Sequence, residues 1–308
     1  MKSQISIAIC SYPGALKSAI YGLEEMFILS NDLCKQNSLN LTFTVEVLTL
    51  EELCANGNYT IVVLPPSQQN EFYLEPNDSF IDWLQNQHTK GAVLASACAG
   101  SFILCKTNIV KQRSITTHWG LAESLSQQFP GVNLASTELI IDHGDLITAG
   151  GMMSWVDLGL ELIKRFASIE IMRQLGKILV IDTAPREQRY YQQFTPSFQH
   201  GDQEILAVQQ ALHHSIAEPV SIANLAEQNH MTLRTLQRRF TKATGESPLK
   251  YLQKLKVQKA SEQLESTNAT FEKITLDLGY DNVAAFRKVF VNIMGLTPSE
   301  FRKRFTGR

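Results

Sequence analysis

The sequence predicts two domains of different construction. An α/β domain on a largely parallel sheet comes first, and an all-α domain holding two helix-turn-helix units comes after it. Three observations carry this. Short Val- and Ile-rich runs alternate with helical patterns through the first half. From Asp202 onward the strand signals stop, and periodic helices are separated by Gly, Ser and Pro. Within that last third, the sequence also repeats itself at an offset of fifty residues.

The totals fit such a chain. Its 308 residues leave room for two cores, and 44% apolar with 19% charged residues is the balance of an ordinary soluble globular protein. The five cysteines (10, 34, 54, 98 and 105) show no paired spacing and no CxxC, as expected in a reducing cytoplasm. The opening MKSQISIAIC has too short an apolar part for a signal peptide. The longest near-apolar stretch, 91–105, is fifteen residues and too short to span a bilayer. A cytoplasmic protein with no membrane partner is the expectation. Charge is unevenly placed: residues 1–201 hold 13 Lys and Arg against 19 Asp and Glu, and residues 202–308 hold 15 against 11. A basic last third points to a polyanionic partner for that part.

In order along the chain, ISIAIC (5–10), FTVEVLTL (43–50), TIVVLPP (60–66) and GAVLASAC (91–98) read as strands. The stretches 16–30, 78–88 and 101–108 have room for helices between them. Such alternation argues for a sheet covered on both faces. ELIIDHGDLITAGG (138–151) reads as a hairpin turning at His143-Gly144-Asp145, and helices fill 153–181. The polar, aromatic stretch 183–201, with two prolines and no clear period, reads as a linker between domains 1–182 and 202–308.

The repeat lays LQRRFTKATGESPLKYL (236–252) over FRKVFVNIMGLTPSEFR (286–302), matching Phe240 with Phe290, Gly245 with Gly295 and Pro248 with Pro298. A short amphipathic segment precedes each copy. Each therefore reads as helix, turn, helix, closed by Gly with Pro beyond. Ser221 and Thr270 are suited to cap the first helices, and Thr232 and Asn282 the second. Between the copies, Leu252, Leu255, Ala260 and Leu264 fall on one face of a helix roughly 25 Å long, enough to hold two units about one DNA turn apart.

The second helix of such a unit enters the major groove by its N-terminal residues. In the first copy that helix is expected to bury Leu233, Leu236 and Phe240. Its other face presents Thr232, Arg234, Thr235, Gln237 and Arg238, with Arg239 and Lys242 flanking. Arg suits guanine and Gln suits adenine. A solvated charged face is the other meaning of such a run, and the doubled motif favours the groove. In the second copy Asn282, Arg287 and Lys288 are polar, but Val283, Ala284 and Ala285 occupy the entry positions. That copy is expected to meet phosphates and thymine methyls more than polar base edges.

On LRTLQRRF, TGESPLKYL, LGYDNVAAFRKVF and GLTPSEFRKRF, residues 203–305 resemble the DNA-binding domain of the AraC/XylS family of transcription regulators. The resemblance implies a seven-helix domain and double-stranded promoter DNA as partner.

In the first domain, VLASACAGS (93–101) rises to Cys98 and turns toward a helix, which puts the thiol at the carboxyl edge of a sheet where ligands bind. The N–H groups of Ala99 and Gly100 there favour an anion, His118 in TTHW stands available as a base, and GLEEMF (22–27) offers a carboxylate. The plain alternative is a buried Cys packing as a small hydrophobe, with His118 capping a loop. On GLEEMF, SACAGSF, RSITTHW and ITAGGMMSWVDLGLELI, residues 4–182 resemble the PfpI-like, class I glutamine-amidotransferase-like superfamily, as found in GlxA-type regulators. That resemblance implies a flavodoxin-like sandwich and homodimerisation. It puts Cys98 at the nucleophile elbow, His118 at the histidine place and Glu25 (or Glu24) at the acidic place, in a ligand pocket with Ala99, Gly100 and Trp119. One stretch departs: relatives carry Gly-Leu-Leu-Asp-Gly-Arg where this chain has Asn-Ile-Val-Lys-Gln-Arg (108–113).

His213 and His214 are adjacent and face different sides of a helix, the cysteines are scattered, and no Gly-rich phosphate loop is present. No metal and no cofactor are expected. The leading expectation is a non-enzymatic regulator that binds promoter DNA and an unidentified small effector. Cys-dependent hydrolase or carbonyl chemistry at Cys98 is the alternative, and a Cys98 redox sensor ranks third.

Overall fold

The computed structural model describes residues 3–54 and 57–307, apart from the side chains of Cys54 and Asn70. The chain divides into two compact units, Met1–Gln188 and Arg189–Arg308.

In the first unit the strands are β1 (Ser3–Ser11), β2 (Leu41–Thr49), β3 (Ile61–Leu64), β4 (Val93–Ala97), β5 (Ser114–Ile115), β6 (Asn133–Leu134), β7 (Ile140–Asp142) and β8 (Leu146–Ala149). Six of them form one sheet in the order β2-β1-β3-β4-β8-β7, parallel except for the edge strand β7; β5 and β6 pair apart from it. Its helices are α1 (Lys17–Gln36), α2 (Asn70–Leu74), α3 (Asp78–Thr89), α4 (Gly100–Lys106), α5 (Ala122–Gln128), α6 (Trp155–Phe166) and α7 (Ile169–Leu179). This is the flavodoxin-like sandwich with a mixed sheet. Successive side chains of a strand face opposite ways. Ile7 and Ile9 therefore join the core under α1, α6 and α7, while Ala8 and Cys10 join the core under α3 and α4. β3 and β4 are buried on both faces, which is why their sequences read as unbroken apolar runs rather than alternating ones.

The hairpin turns at the expected place. Gly144 takes φ +89°, a left-handed backbone that suits glycine, and its N–H donates to Asp142 Oδ1 at 2.6 Å. In the stretch 108–113, Asn108 is left-handed at φ +58°. Asn is among the side chains that tolerate this best. Arg113 is held there by Asp145 (2.6 Å) and by the carbonyl of Ile109 (2.7 Å).

The second unit is helical: α8 (Gln203–His214), α9 (Ile222–Gln228), α10 (Leu233–Thr244), α11 (Pro248–Ser266), α12 (Phe271–Asp277), α13 (Val283–Met294) and α14 (Pro298–Thr306). All four expected caps are present. Ser221, Thr232, Thr270 and Asn282 each accept the backbone N–H three residues on, at 3.3, 3.2, 3.2 and 2.9 Å. Gly245 and Gly295 close α10 and α13 with φ of +77° and +74°, and Pro248 and Pro298 open the next helices.

Each helix-turn-helix has its own core. One gathers Leu212, Leu225, Leu236, Phe240 and Tyr251; the other gathers Leu264, Ile274, Phe286, Phe290 and Phe301. The central helix α11 serves both, through the Leu252, Leu255, Ala260 and Leu264 face read from the sequence. Buried Lys256 adds a polar tie: its Nζ donates to the carbonyls of Glu218 (3.0 Å) and Leu278 (2.8 Å), one at the edge of each module.

The stretch 183–201 is divided between the units. Glu187 bridges to Glu138 beside β7 and Gln188 is buried in the first unit; a 3-10 turn, Gln188–Tyr191, spans the boundary.

Candidate functional sites

Cys98 comes directly after β4, at the carboxyl edge of the sheet, with φ +55°. A left-handed backbone on a side chain with a Cβ is strained, and such strain clusters at functional positions. It is held by the Cys98 N–H donating to the Ala149 carbonyl (2.8 Å) and by the Thr117 hydroxyl donating to the Cys98 carbonyl (2.7 Å). Gly100 is required next to it, because a Cβ there would lie 2.6 Å from the carbonyl oxygen of Leu64.

Cys98 is 2% exposed and belongs to the core that also holds Ala8, Leu64, Phe102 and Ile103. Burial pushes its thiol up to about 11. The backbone N–H groups of Ala99 and His118 pull the other way but lose to desolvation. Tyr12 and Tyr73 stand close enough to feel its charge, and Cys10 lies beside Tyr12; burial raises all three as well. Cys105, near the end of α4, is likewise buried and pushed up to about 12.

The expected group of three is not assembled. His118 is half-buried, and its Nδ1 accepts the Gly120 N–H at 3.0 Å, capping a 3-10 turn, Trp119–Leu121. Among the described residues no hydrogen bond joins this imidazole to the Cys98 thiol; the ring lies 5.2 Å from that of Trp119 instead. Burial lowers its pKa, which favours the neutral ring. Glu25 is exposed on the solvent side of α1, and among the described residues no hydrogen bond or ion pair joins it to Cys98 or His118. The reason is helical phase. α1 turns Leu23, Met26, Phe27 and Ser30 inward, which leaves Glu25 outward and Glu24 half-buried. Ala99 and Gly100 are buried beside Cys98, and Trp119 is half-buried on the His118 turn.

A residue without any sequence signal completes this region. Gln188 is 2% exposed. Its Nε2 donates to Thr117 O (2.8 Å), Thr116 Oγ1 (3.0 Å) and Glu138 O (3.1 Å), and its Oε1 accepts the Trp119 N–H (3.2 Å).

On α10, Arg234, Gln237 and Arg238 are exposed, and neither arginine has an intramolecular ion pair or hydrogen bond among the described residues. Thr232 caps the helix, and its hydroxyl lies 2.9 Å from that of half-buried Thr235. Two expectations are corrected here. Leu233 is 43% exposed, because as the first residue of α10 it precedes the inward face begun by Leu236 and Phe240. Arg239 is turned away from the open face: it pairs with Asp202 at 2.6 Å and with Glu204, binding α10 to the start of α8. On α13, Ala284, Ala285, Arg287 and Lys288 are exposed, and Asn282 is the cap. Arg287 pairs with Glu272 at 3.1 Å across the surface and lies over the Phe271 ring. Among the described residues no three metal-binding side chains cluster, and no helix is long and apolar enough to cross a membrane.

Residues 25–165 match the DJ-1/PfpI family and residues 225–304 match a helix-turn-helix domain. The chain combines a DJ-1/PfpI domain with an AraC-type helix-turn-helix domain. Among its relatives, the HTH-type transcriptional regulator GbdR of Pseudomonas aeruginosa is 24% identical over 227 residues, which covers 72% of this chain and 61% of GbdR. The HTH-type transcriptional regulator GlxA of Rhizobium meliloti is 22% identical over 216 residues, covering 70% of this chain and 66% of GlxA. The chain thus spans less than two thirds of the length of either regulator. A solved protein from Vibrio parahaemolyticus shares the fold, with a TM-score of 0.50 at 15% identity, over 57% of this chain and 100% of its own.

Proposed function

We propose that this protein is a sequence-specific DNA-binding regulator of transcription, acting in the cytoplasm as a homodimer, whose first domain binds a small effector and catalyses nothing. The observation that carries the proposal is the pair of capped helix-turn-helix units on one shared helix, with Arg234, Gln237 and Arg238 of α10 exposed and both arginines unpaired among the described residues. A helix presented this way has the donors that read base edges. Arg234, Gln237 and Arg238 are the readers, Thr232 and Thr235 lie at the entry, and Arg287 and Lys288 contact phosphate, with Ala284 and Ala285 against thymine methyls. Relatives that share both domains carry regulator names, which supports the same reading.

The test is a selection of genomic fragments by the full chain at moderate salt. Enrichment of a shared sequence that Arg238→Ala flattens at one position is the expected result. Recovery of fragments without common sequence refutes the proposal.

The left-handed Cys98 elbow favours a second reading, hydrolysis or carbonyl chemistry by that thiol. A sealed, raised thiol and an imidazole engaged with Gly120 weigh against it.

A further inference from the structure

We infer that Gln188 couples the Cys98–His118 region to the DNA-binding unit. The inference rests on the regulator reading and adds to it how the effector site is wired to the DNA-binding unit. The amide of Gln188 is the centre of a closed polar socket, with its four hydrogen bonds reaching Thr116, Thr117, Glu138 and Trp119. Three of those residues flank or precede His118, and Thr117 also holds the strained Cys98 carbonyl. Any ligand that shifts the 116–119 loop therefore changes whether this amide stays satisfied. A buried amide that loses its partners is costly, so the side chain is either seated or driven out.

The residues just after Gln188 give the switch its output. The next one, a single peptide bond away, is already bound in the second unit. Arg189 and Tyr190 close over Gly295, the left-handed residue that ends α13. The Arg304 guanidinium lies 5.0 Å from the Tyr190 ring, and Tyr191 meets Phe305 edge-on at 5.5 Å. Consecutive residues thus report on the effector loop and on the end of the second reading helix. A seated and an unseated Gln188 are the two states that both ends bias, which is the physical requirement for coupling.

Two variants dislodge the same amide from opposite sides. Gln188→Ala removes it. Gly150→Ala leaves it intact but adds a Cβ that overlaps Gln188 Nε2, so the flexible end of the side chain must leave. Hydrogen exchange on the full chain is expected to quicken at 116–120 and also at 291–297 in both variants. Quickening at 116–120 alone, in either variant, would make Gln188 a local prop and overturn the inference. A second arm uses the DNA site selected by the full chain. Thr117→Val is expected to change its affinity by about 2- to 30-fold in the parent, and to change nothing in the Gln188→Ala background. Equal effects in both backgrounds overturn the coupling. Failure to select any DNA site sinks the regulator reading, while the exchange arm still decides the coupling.

Discussion

Arg238→Ala is expected to weaken the full chain's hold on its selected DNA site by about 5- to 150-fold, and Arg239→Gln to leave the salt dependence of binding unchanged. The two arginines are neighbours on α10, and the structure separates their duties. Arg238 is exposed and has no ion pair or hydrogen bond among the described residues, so truncating it orphans none of them and removes what it gives to DNA. One bidentate base contact is worth about 1–3 kcal/mol, and each 1.4 kcal/mol is about tenfold, which sets the range. Salt gives an independent scale. Arg234, Arg238 and Lys242 on α10 and Arg287 and Lys288 on α13 are exposed cations. If each displaces about one counterion, log K against log salt falls with a slope of about −4.5, and a fourfold rise in salt weakens binding roughly 500-fold. Losing Arg238 makes that slope shallower by about 0.9. Arg287 is counted because its single pair with Glu272 is exposed on both sides and is open to exchange for phosphate. Arg239, less exposed and held by both Asp202 and Glu204, is not in the count. Anisotropy titrations of labelled duplex between about 50 and 200 mM salt measure both quantities. Wild-type affinity and slope in Arg238→Ala, or an equal loss of slope in Arg239→Gln, would refute this division of labour.

Other outcomes rest on burial. With its thiol pushed up to about 11 against an ordinary 9.0, Cys98 holds about 100-fold less thiolate near neutral pH. Iodoacetamide should therefore label it at least that much more slowly in the folded chain than in urea, and equal rates would contradict the packing. Because the folded value is raised, the stability this thiol contributes is intact below about pH 9 and lost as pH climbs toward 11, which alkaline unfolding curves would register. His118 has a lowered value, so its contribution is present above its ordinary 6.5 and fades as pH falls below that; an NMR titration midpoint above 6.5 would be wrong for this geometry. Phe286→Ala should cost the second unit about 3–5 kcal/mol in urea unfolding, since the ring is fully buried with Tyr280 stacked on it at 4.4 Å and Phe271 at 5.6 Å.

The legible part of the sequence is the part that repeats. Buried strands announce themselves as Val and Ile runs because both faces are covered. The helical modules announce themselves because a cap, a Gly and a Pro recur at fixed spacing, and the structure puts each of the four caps to use. Even the irregularity between the copies is physical. The first turn is one residue shorter, and His230 takes the left-handed place (φ +54°) that Gly279 fills in the second. Gly279 has no choice, since a Cβ there would lie 2.7 Å from the Glu218 backbone.

Side-chain direction is harder to read. Leu233, Glu25 and Arg239 all sit on the predicted helices yet face other ways than expected, because helix phase is set by which neighbours arrive from afar. For Glu25 the signal is present in the spacing of Leu23, Met26, Phe27 and Ser30. For Arg239 it is not, since Asp202 and Glu204 are more than thirty residues distant.

Gln188 carries no local signal at all. Its partners at 116, 117, 119 and 138 are fifty to seventy-two residues away, and a lone Gln in a polar stretch has no period to betray it. The Cys98 elbow has the opposite character, since the local sequence displays it plainly while burial, which no local pattern shows, raises its thiol to about 11. A chain that keeps the strained turn, seals the thiol, and ties the adjacent loop to the residue leading into the helical unit retains the enzyme-like geometry as a mechanical part. In the proposed coupling, the cost of seating or releasing one buried amide is what carries the signal.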